Sequence, residues 1–515
     1  MAQPTDKGRN EGDGGARPDE APERAHASIG QWPTSGARTP SEASARGLEM
    51  RHHGAAAIRG LDCPRSRYSD SARFGRLVPT LPTLYAERED LSALGAAGGP
   101  MDPQDRPPPA TGTGNPDNPA DLAAGFTFLG QFIDHDITFD PTSSLERQVD
   151  PEAVSNFRTP TLELDSVYGA GPGASPHLYQ RADPDKLLIG KDAGGGDNDL
   201  PRNAESVALL GDPRNDENLI VSQLHLAFLK FHNAVVDRVR GEGVAPRDVF
   251  REAQRRVRWH YQWMIVHEFL PHIVGRPMVD AVLEKGRRYY NWRNEPYIPV
   301  EFSVAAYRFG HSQVRPAYRI NGGFARPIFA AETTTGAEGL PNDLSGGRQI
   351  RPEQVVDWTG LFAVDGSRPQ PGKAIDTRIS SPLLNLPFAS GAPEDPKSLA
   401  TRNLLRHVTF GLPAGQDVAW AMREEPLRPN ELRGVRDLGF DRYTPLWYYI
   451  LKEAELRASG AHLGPVGGRI VCEVLVGLLE GDRLSYLRAG PRWKPDLGTR
   501  GRFGMAELLK VAGVV

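Results

Sequence analysis

With 515 residues, of which 39% are hydrophobic and 24% charged, the chain has ample apolar material for a large globular core and is neither fibrous nor of low complexity overall. A formal net charge of -4 gives no general reason to expect nucleic acid or an anionic membrane as partner, and the absence of an apolar run of about 18 residues predicts no spanning helix. Two cysteines, Cys63 and Cys472, do not make a disulfide framework and read as unpaired thiols.

In chain order, residues 1 to about 50 are rich in Gly, Pro, Ser, Ala and mixed charge without apolar periodicity, and are expected to be a disordered tail. Their start lacks the apolar stretch of a secretory signal and is too acidic for a transit peptide, so the expectation is a cytoplasmic protein or one exported without a standard leader. Residues 51–515 are expected to form one domain. A Pro-rich stretch at about 95 to 122 is read as surface loop, and KDAGGGDNDLPRN at 191 to 203 as another. Helical spacing marks DLAAGFTFLGQFIDHDITF, ENLIVSQLHLAFLKFHNAVVDRV, RDVFREAQRRVRWHYQWMIVHEFL, FSVAAYRFGHSQV, TPLWYYILKEAELR and GGRIVCEVLVGLLEGDRLSYL. Strand patterns are scarce and no repeat is visible, so the fold class is mainly α in a large single domain.

Four clusters carry chemistry. In GQFIDHDITFD, Gln131, Asp134 and His135 share one helix face, while Asp136 is rotated about 100° from His135 and must serve a different neighbour. In GDPRNDENL, Arg214 and Glu217 lie three apart at a helix start, a spacing that an ordinary ion pair also satisfies. AAYRFGHSQVRP puts Arg308 and His311 one turn apart among small and apolar residues, a setting that suits an iron-ligating imidazole. RTPTLELDSVYG alternates Thr159, Thr161, Glu163 and Asp165, hard oxygen donors of the kind calcium takes.

In composition and order, over residues 131 to about 413, these clusters resemble the animal haem peroxidase family, in a bacterial-type member. The resemblance implies haem b buried between central helices. His311 would be the proximal iron ligand, and Asn403 in RNLLRHVTFGLP its hydrogen-bond partner. Across the haem, His135 would be the distal base, Arg214 the distal arginine and Gln131 a liner of the peroxide or halide site. Asp134 and Glu217 would form esters to the haem, with Arg308 also facing it. Asn218 stands where the family can hold a sulfur-linking methionine, so no third link is expected. Calcium would be held by Asp136, Thr159, Thr161 through its carbonyl, Glu163 and Asp165, although Glu163 and Asp165 replace the usual aspartate and serine.

The implied activity is oxidation of a halide, a pseudohalide or a phenolic donor by hydrogen peroxide. The rival readings are a fatty-acid dioxygenase and a nonenzymatic haem-binding protein. The dioxygenase needs a tyrosine three residues before the proximal histidine. Arg308 occupies that position, and Tyr307 is read as lying on a different face. A zinc protease is excluded because His267 and His272 in HEFLPH are five apart with Pro271 between them. His225, His232 and His260 are read as core or surface histidines, GAGPG at 169 to 173 is read as a loop, and neither a G-x-S-x-G elbow nor a Walker A loop occurs.

Overall fold

A computed structural model of the chain describes residues 74–105, 119–139, 159–292, 295–330, 342–392 and 394–515, which belong to one compact unit. The expected N-terminal tail, Cys63 and the centre of the Pro-rich stretch lie outside the described residues. Helices carry the architecture: α1 (Arg88–Gly95), α2 (Gly125–Ile137), α3 (Leu219–Gly241), α4 (Val249–Met264), α5 (Arg276–Lys285), α6 (Leu399–Thr409), α7 (Leu446–Ala458) and α8 (Pro465–Gly481) are the main ones. The described strands form three short pairs. β1 (Phe74–Gly75) runs parallel to β3 (Ile298–Pro299), β2 (Pro119–Ala123) antiparallel to β6 (Pro371–Lys373), and β4 (Ala317–Arg319) antiparallel to β5 (Ala325–Pro327).

The expected helical runs form with three main changes, one of which is a π turn, Ile265–Phe269, that follows α4 within the third run. The first run opens as β2, and α2 begins only at Gly125, where a side chain is impossible: a Cβ would stand 2.5 Å from the Phe362 ring and 2.6 Å from the Leu361 carbonyl. The FSVAAYRFGHSQV run is a π turn (Glu301–Ala305) followed by a 3-10 turn (Ala306–His311) rather than an α-helix. Side-chain periodicity reports which face is buried but not which carbonyl each N–H bonds. The expected loop at 191 to 203 is present, closed by Asp192 Oδ1 accepting from the N–H groups of Gly194 and Gly196 at 2.8 and 2.9 Å.

At the centre, Phe132 of α2 stacks on Phe228 of α3 at 4.5 Å, and Tyr261 of α4 meets both rings edge-on. Such contacts add to the area that burial of large rings removes from water. Among the described helices, α3 is long and apolar enough to pass as a membrane span by length and composition. However, 83% of its apolar window is buried inside the protein, so the apolar surface is spent on the core. The π and 3-10 segment is held from both ends. Glu301 accepts from Leu77 N–H (2.8 Å) and Val78 N–H (3.3 Å), and Trp447 of α7 donates to the Arg308 carbonyl (3.2 Å). Cys472 on α8 is a buried free thiol.

Candidate active site

A cavity opens between α2 and the 301–311 segment. One wall presents Gln131 and Asp134 of α2 with Glu217, and the other presents Tyr307, Arg308 and His311. In a 3-10 turn residues three apart eclipse, which stacks Arg308 over His311.

His311 Nδ1 is 2.7 Å from Asn403 Nδ2 on α6, so its Nε2 is the ring nitrogen left for the cavity. Asn403 Oδ1 accepts from Arg308 Nη1 at 3.1 Å. Burial, then the charges of Arg308 and Arg406, pull the His311 pKa down to about 3, so the ring is the neutral imidazole that metals bind. With this amide orientation Nδ1 accepts. Ligation through Nε2, with Nδ1–H donating, requires the carboxamide turned over, and a carboxamide offers both ends.

On the facing wall, Gln131 bridges its neighbours: Nε2 donates to Glu217 Oε1, and Oε1 accepts from Asn218 Nδ2 at 3.2 Å. Asn218 also caps α3, its Oδ1 accepting from Val221 N–H at 3.0 Å, which gives this position a local reason to be asparagine. Burial pushes the Glu217 carboxyl up to about 8 against the opposing effects of Gln131 and Arg214, and its Oε2 is buried without a hydrogen-bond partner. Asp134 is likewise raised by burial, partly offset by Arg214 and Arg308, and accepts from Thr138 Oγ1 at 2.8 Å.

His135 and Arg214 stand behind this wall and are not among the cavity-lining residues. The His135 ring is fully buried, its Nδ1 2.8 Å from Asn215 Oδ1, and Asn215 Nδ2 is 3.0 Å from His225 Nδ1. Arg214 lies not in the first turn of α3 but in a 3-10 turn, Pro213–Asp216, before it. Its Nη2 donates to Asp212 Oδ2 at 2.8 Å, to the His135 carbonyl at 3.2 Å and to the Thr138 carbonyl. The guanidinium clasps the C-terminal end of α2. Its charge still reaches the cavity, where it lowers the pKa of both Asp134 and Glu217.

The oxygen-rich loop comes to Asp136, whose Oδ2 accepts from Leu164 N–H at 3.2 Å. Asp136 and Asp165 both act on the Tyr261 hydroxyl, which burial first of all raises well above its ordinary value. Thr161 Oγ1 and Ser166 Oγ are buried without partners. Two expected ligands have other surroundings in this structure. Thr159 is exposed, and Glu163 turns toward Arg258, with Oε2 at 3.8 Å and its carbonyl accepting from Nε at 2.6 Å. No group of three or more His, Cys, Asp and Glu suited to a metal occurs among the described residues, so any calcium here would rest on hydroxyl and carbonyl oxygens as well.

The cavity fits haem on three observations. A Cβ at Gly310 would meet nothing within 4 Å, leaving open space beside His311 for a flat ring. Arg308 and Arg402 both line the cavity and suit the two carboxylates of the macrocycle. The unpartnered Glu217 Oε2 sits where a cofactor would meet it. Sequence reasoning missed Asn215, His225, Ser166 and Arg402, whose roles depend on partners far away in the chain, and it misplaced Tyr307. That tyrosine lines the cavity, its hydroxyl donating to the Gly130 carbonyl at 3.2 Å, because the cavity is wide enough to take in two adjacent faces of the 3-10 turn.

A mainly helical fold around a cavity that offers one neutral histidine to a metal and buried carboxyls opposite defines a haem-holding protein. The sequence profile described as animal haem peroxidase matches residues 143–413, just over half of the chain, and the chain belongs to that family. The match begins after α2, so the Gln131 to Asp136 cluster lies outside it.

A peroxidasin homolog of Caenorhabditis elegans is 25% identical over 54% of this chain and 21% of its own length. A peroxidase-like protein of Margaritifera margaritifera is 26% identical over 55% of this chain and 38% of its own length. The aligned part thus spans well under half of these relatives. Among solved structures, peroxidase A from Dictyostelium discoideum superposes with a TM-score of 0.58 at 17% identity, covering 85% of this chain and 92% of that one. The fatty acid alpha-dioxygenase of Arabidopsis thaliana gives 0.53 at 15% identity, covering 94% and 81%. These two share the fold.

Proposed function

We propose that the chain is a haem-dependent peroxidase that uses hydrogen peroxide to oxidise a halide, a pseudohalide or a phenolic donor. The observation that carries the reading is the single cavity with His311 on one wall and Gln131, Asp134 and Glu217 on the other, backed by His135 and Arg214. The peroxidase names of the relatives support it. Bound haem supplies the redox chemistry that couples reduction of peroxide to oxidation of the donor.

The residues of the chain do the rest. His311 would hold the iron through Nε2, and Asn403 would fix the ring. Arg308 and Arg402 would meet the cofactor carboxylates, and Asp134 and Glu217 would form esters with its substituents. His135, whose ring lies behind the cavity wall, would act where that wall admits peroxide to its Nε2, taking a proton there and returning it to the departing oxygen, a general acid-base role worth about 10²- to 10⁴-fold in rate. Arg214 keeps its proton throughout and offers a fixed positive field to the charge that develops. Gln131 orients the small substrate. Asp136, Thr161, Asp165 and Ser166 would hold a calcium ion that ties the loop to α2.

The test is to purify the protein with haem and measure peroxide-dependent oxidation of iodide and of a phenol, alongside oxygen uptake on adding a fatty acid. The second reading, a fatty-acid dioxygenase, is favoured by Tyr307, whose buried phenol lines the cavity close to Asp134. Oxygen uptake that disappears in Tyr307→Phe, without peroxide-dependent donor oxidation, would replace the first reading by the second.

A further inference from the structure

Asn215 lies in the turn between Arg214 and α3, fully buried; it does not line the cavity, and within the GDPRNDENL cluster the sequence gives it no role. Its carboxamide sits between two imidazoles, with Oδ1 2.8 Å from His135 Nδ1 and Nδ2 3.0 Å from His225 Nδ1. A carboxamide has one accepting end and one donating end, and a neutral imidazole has one N–H and one lone pair. Two neutral rings that each present Nδ1 to opposite ends of one amide are therefore forced into opposite tautomers.

We propose that Asn215 is a positioning residue that holds His135 in the Nδ1–H tautomer and His225 in the Nε2–H tautomer, leaving His135 Nε2 as the basic nitrogen. The tautomer claim stands on this geometry alone, and its catalytic consequence rests on the peroxidase reading. The direction matters because the opposite tautomer would put a proton on Nε2 and leave that nitrogen unable to accept one. His225 supports the arrangement: burial pulls its pKa down to about 3, and Phe132 meets its ring edge-on at 6.0 Å, so it stays neutral and fixed. The arrangement has a cost, because His225 Nε2 is buried without a hydrogen-bond partner. An amide turned over would remove that orphaned N–H, so the two orientations are in real competition and experiment can separate them.

The experiment is long-range proton–nitrogen NMR on the full chain labelled with ¹⁵N-histidine, with bound haem held in the diamagnetic ferrous carbonyl state. His135→Gln and His225→Gln spectra assign the signals. The expected wild-type pattern is Nδ1–H for His135 and Nε2–H for His225. Asn215→Leu should release the His135 tautomer and slow the reaction with peroxide by about 10- to 100-fold, the usual effect of losing a partner that orients a functional histidine. Asn215→Asp, whose carboxylate accepts from both rings, should keep His135 as it was, convert His225 to Nδ1–H, and restore the peroxide reaction to within about tenfold of the wild type. A wild-type His135 carrying its proton on Nε2 would overturn the proposal, as would unchanged tautomers in Asn215→Leu. If Asn215→Leu does not fold, an unchanged His225 in Asn215→Asp overturns it instead. If the tautomers are as stated and the haem-loaded protein ignores peroxide, the peroxidase reading fails and the positioning role of Asn215 stands.

Discussion

The two walls of the cavity are built on different plans. The wall that carries His311 comes from one short stretch of backbone, a π turn running into a 3-10 turn, with Asn403 of α6 on the reactive ring. The facing wall joins α2 to a turn nearly eighty residues later in the chain. Among the described residues three networks hold the join: Asp212 and Arg214 on the carbonyls of His135 and Thr138, Asn215 between His135 and His225, and Gln131 between Glu217 and Asn218. One wall offers an atom. The other offers an oriented set of dipoles and charges, which matters because catalytic groups act through geometry fixed before the reaction.

The largest effect should come from the wall that offers an atom. His311→Ala removes the sole imidazole lining the cavity among the described residues, so the purified protein should show no Soret band and retain no haem after gel filtration. A variant that keeps haem with an unaltered spectrum would break the contrast at its root. His135→Ala should do the reverse, leaving haem content and spectrum unchanged and lowering the rate of reaction with peroxide by about 10²- to 10⁴-fold in stopped flow.

Arg214→Lys comes next and asks whether charge or shape matters at that position. The lysine keeps the positive field but loses the planar fork that spans Asp212 and two carbonyls. If the clasp on α2 is the main function, urea unfolding should show a loss of about 1–3 kcal/mol, as expected when buried acceptors lose a charged donor. The peroxide rate should fall less than in His135→Ala. A full rate with unchanged stability would mean that the clasp is dispensable.

How far the sequence revealed each wall follows from the same difference. Gln131, Asp134 and His135 stand out because they are polar residues on an otherwise buried helix, and His311 because small and apolar neighbours surround it. Local contrast of that kind is visible in one dimension. The π and 3-10 turns were not visible, since their side chains keep a nearly helical rhythm while the hydrogen bonds shift by one partner. Asn215 and His225 were not visible either: each looks like an ordinary helix-start or core residue until folding brings His135 to them. In the loop at 159 to 165 the alternation of oxygens carries no sign that Thr159 is exposed or that Glu163 stands beside Arg258, a partner nearly a hundred residues later.

The smallest predicted effect tests whether that loop belongs to the oriented wall. Ser166 Oγ is buried without a partner, in the loop that touches α2 through Asp136. A buried hydroxyl with no partner costs about 1–3 kcal/mol, so if no ion binds there, Ser166→Ala should be neutral or stabilising. If calcium takes that oxygen, together with Asp136, Asp165 and Thr161, the same substitution should lower the thermal midpoint in millimolar calcium by about 1–3 °C, since a chain of this size shifts by about 1 °C per kcal/mol. In excess chelator the sign should reverse, because the hydroxyl reverts to an unpaid desolvation. Scanning calorimetry of wild type and variant, each with calcium and with chelator, reads that reversal directly. A variant at least as stable as wild type in both conditions would remove the ion from the loop and leave Arg214 and Asn215 as the groups that tie the distal wall together.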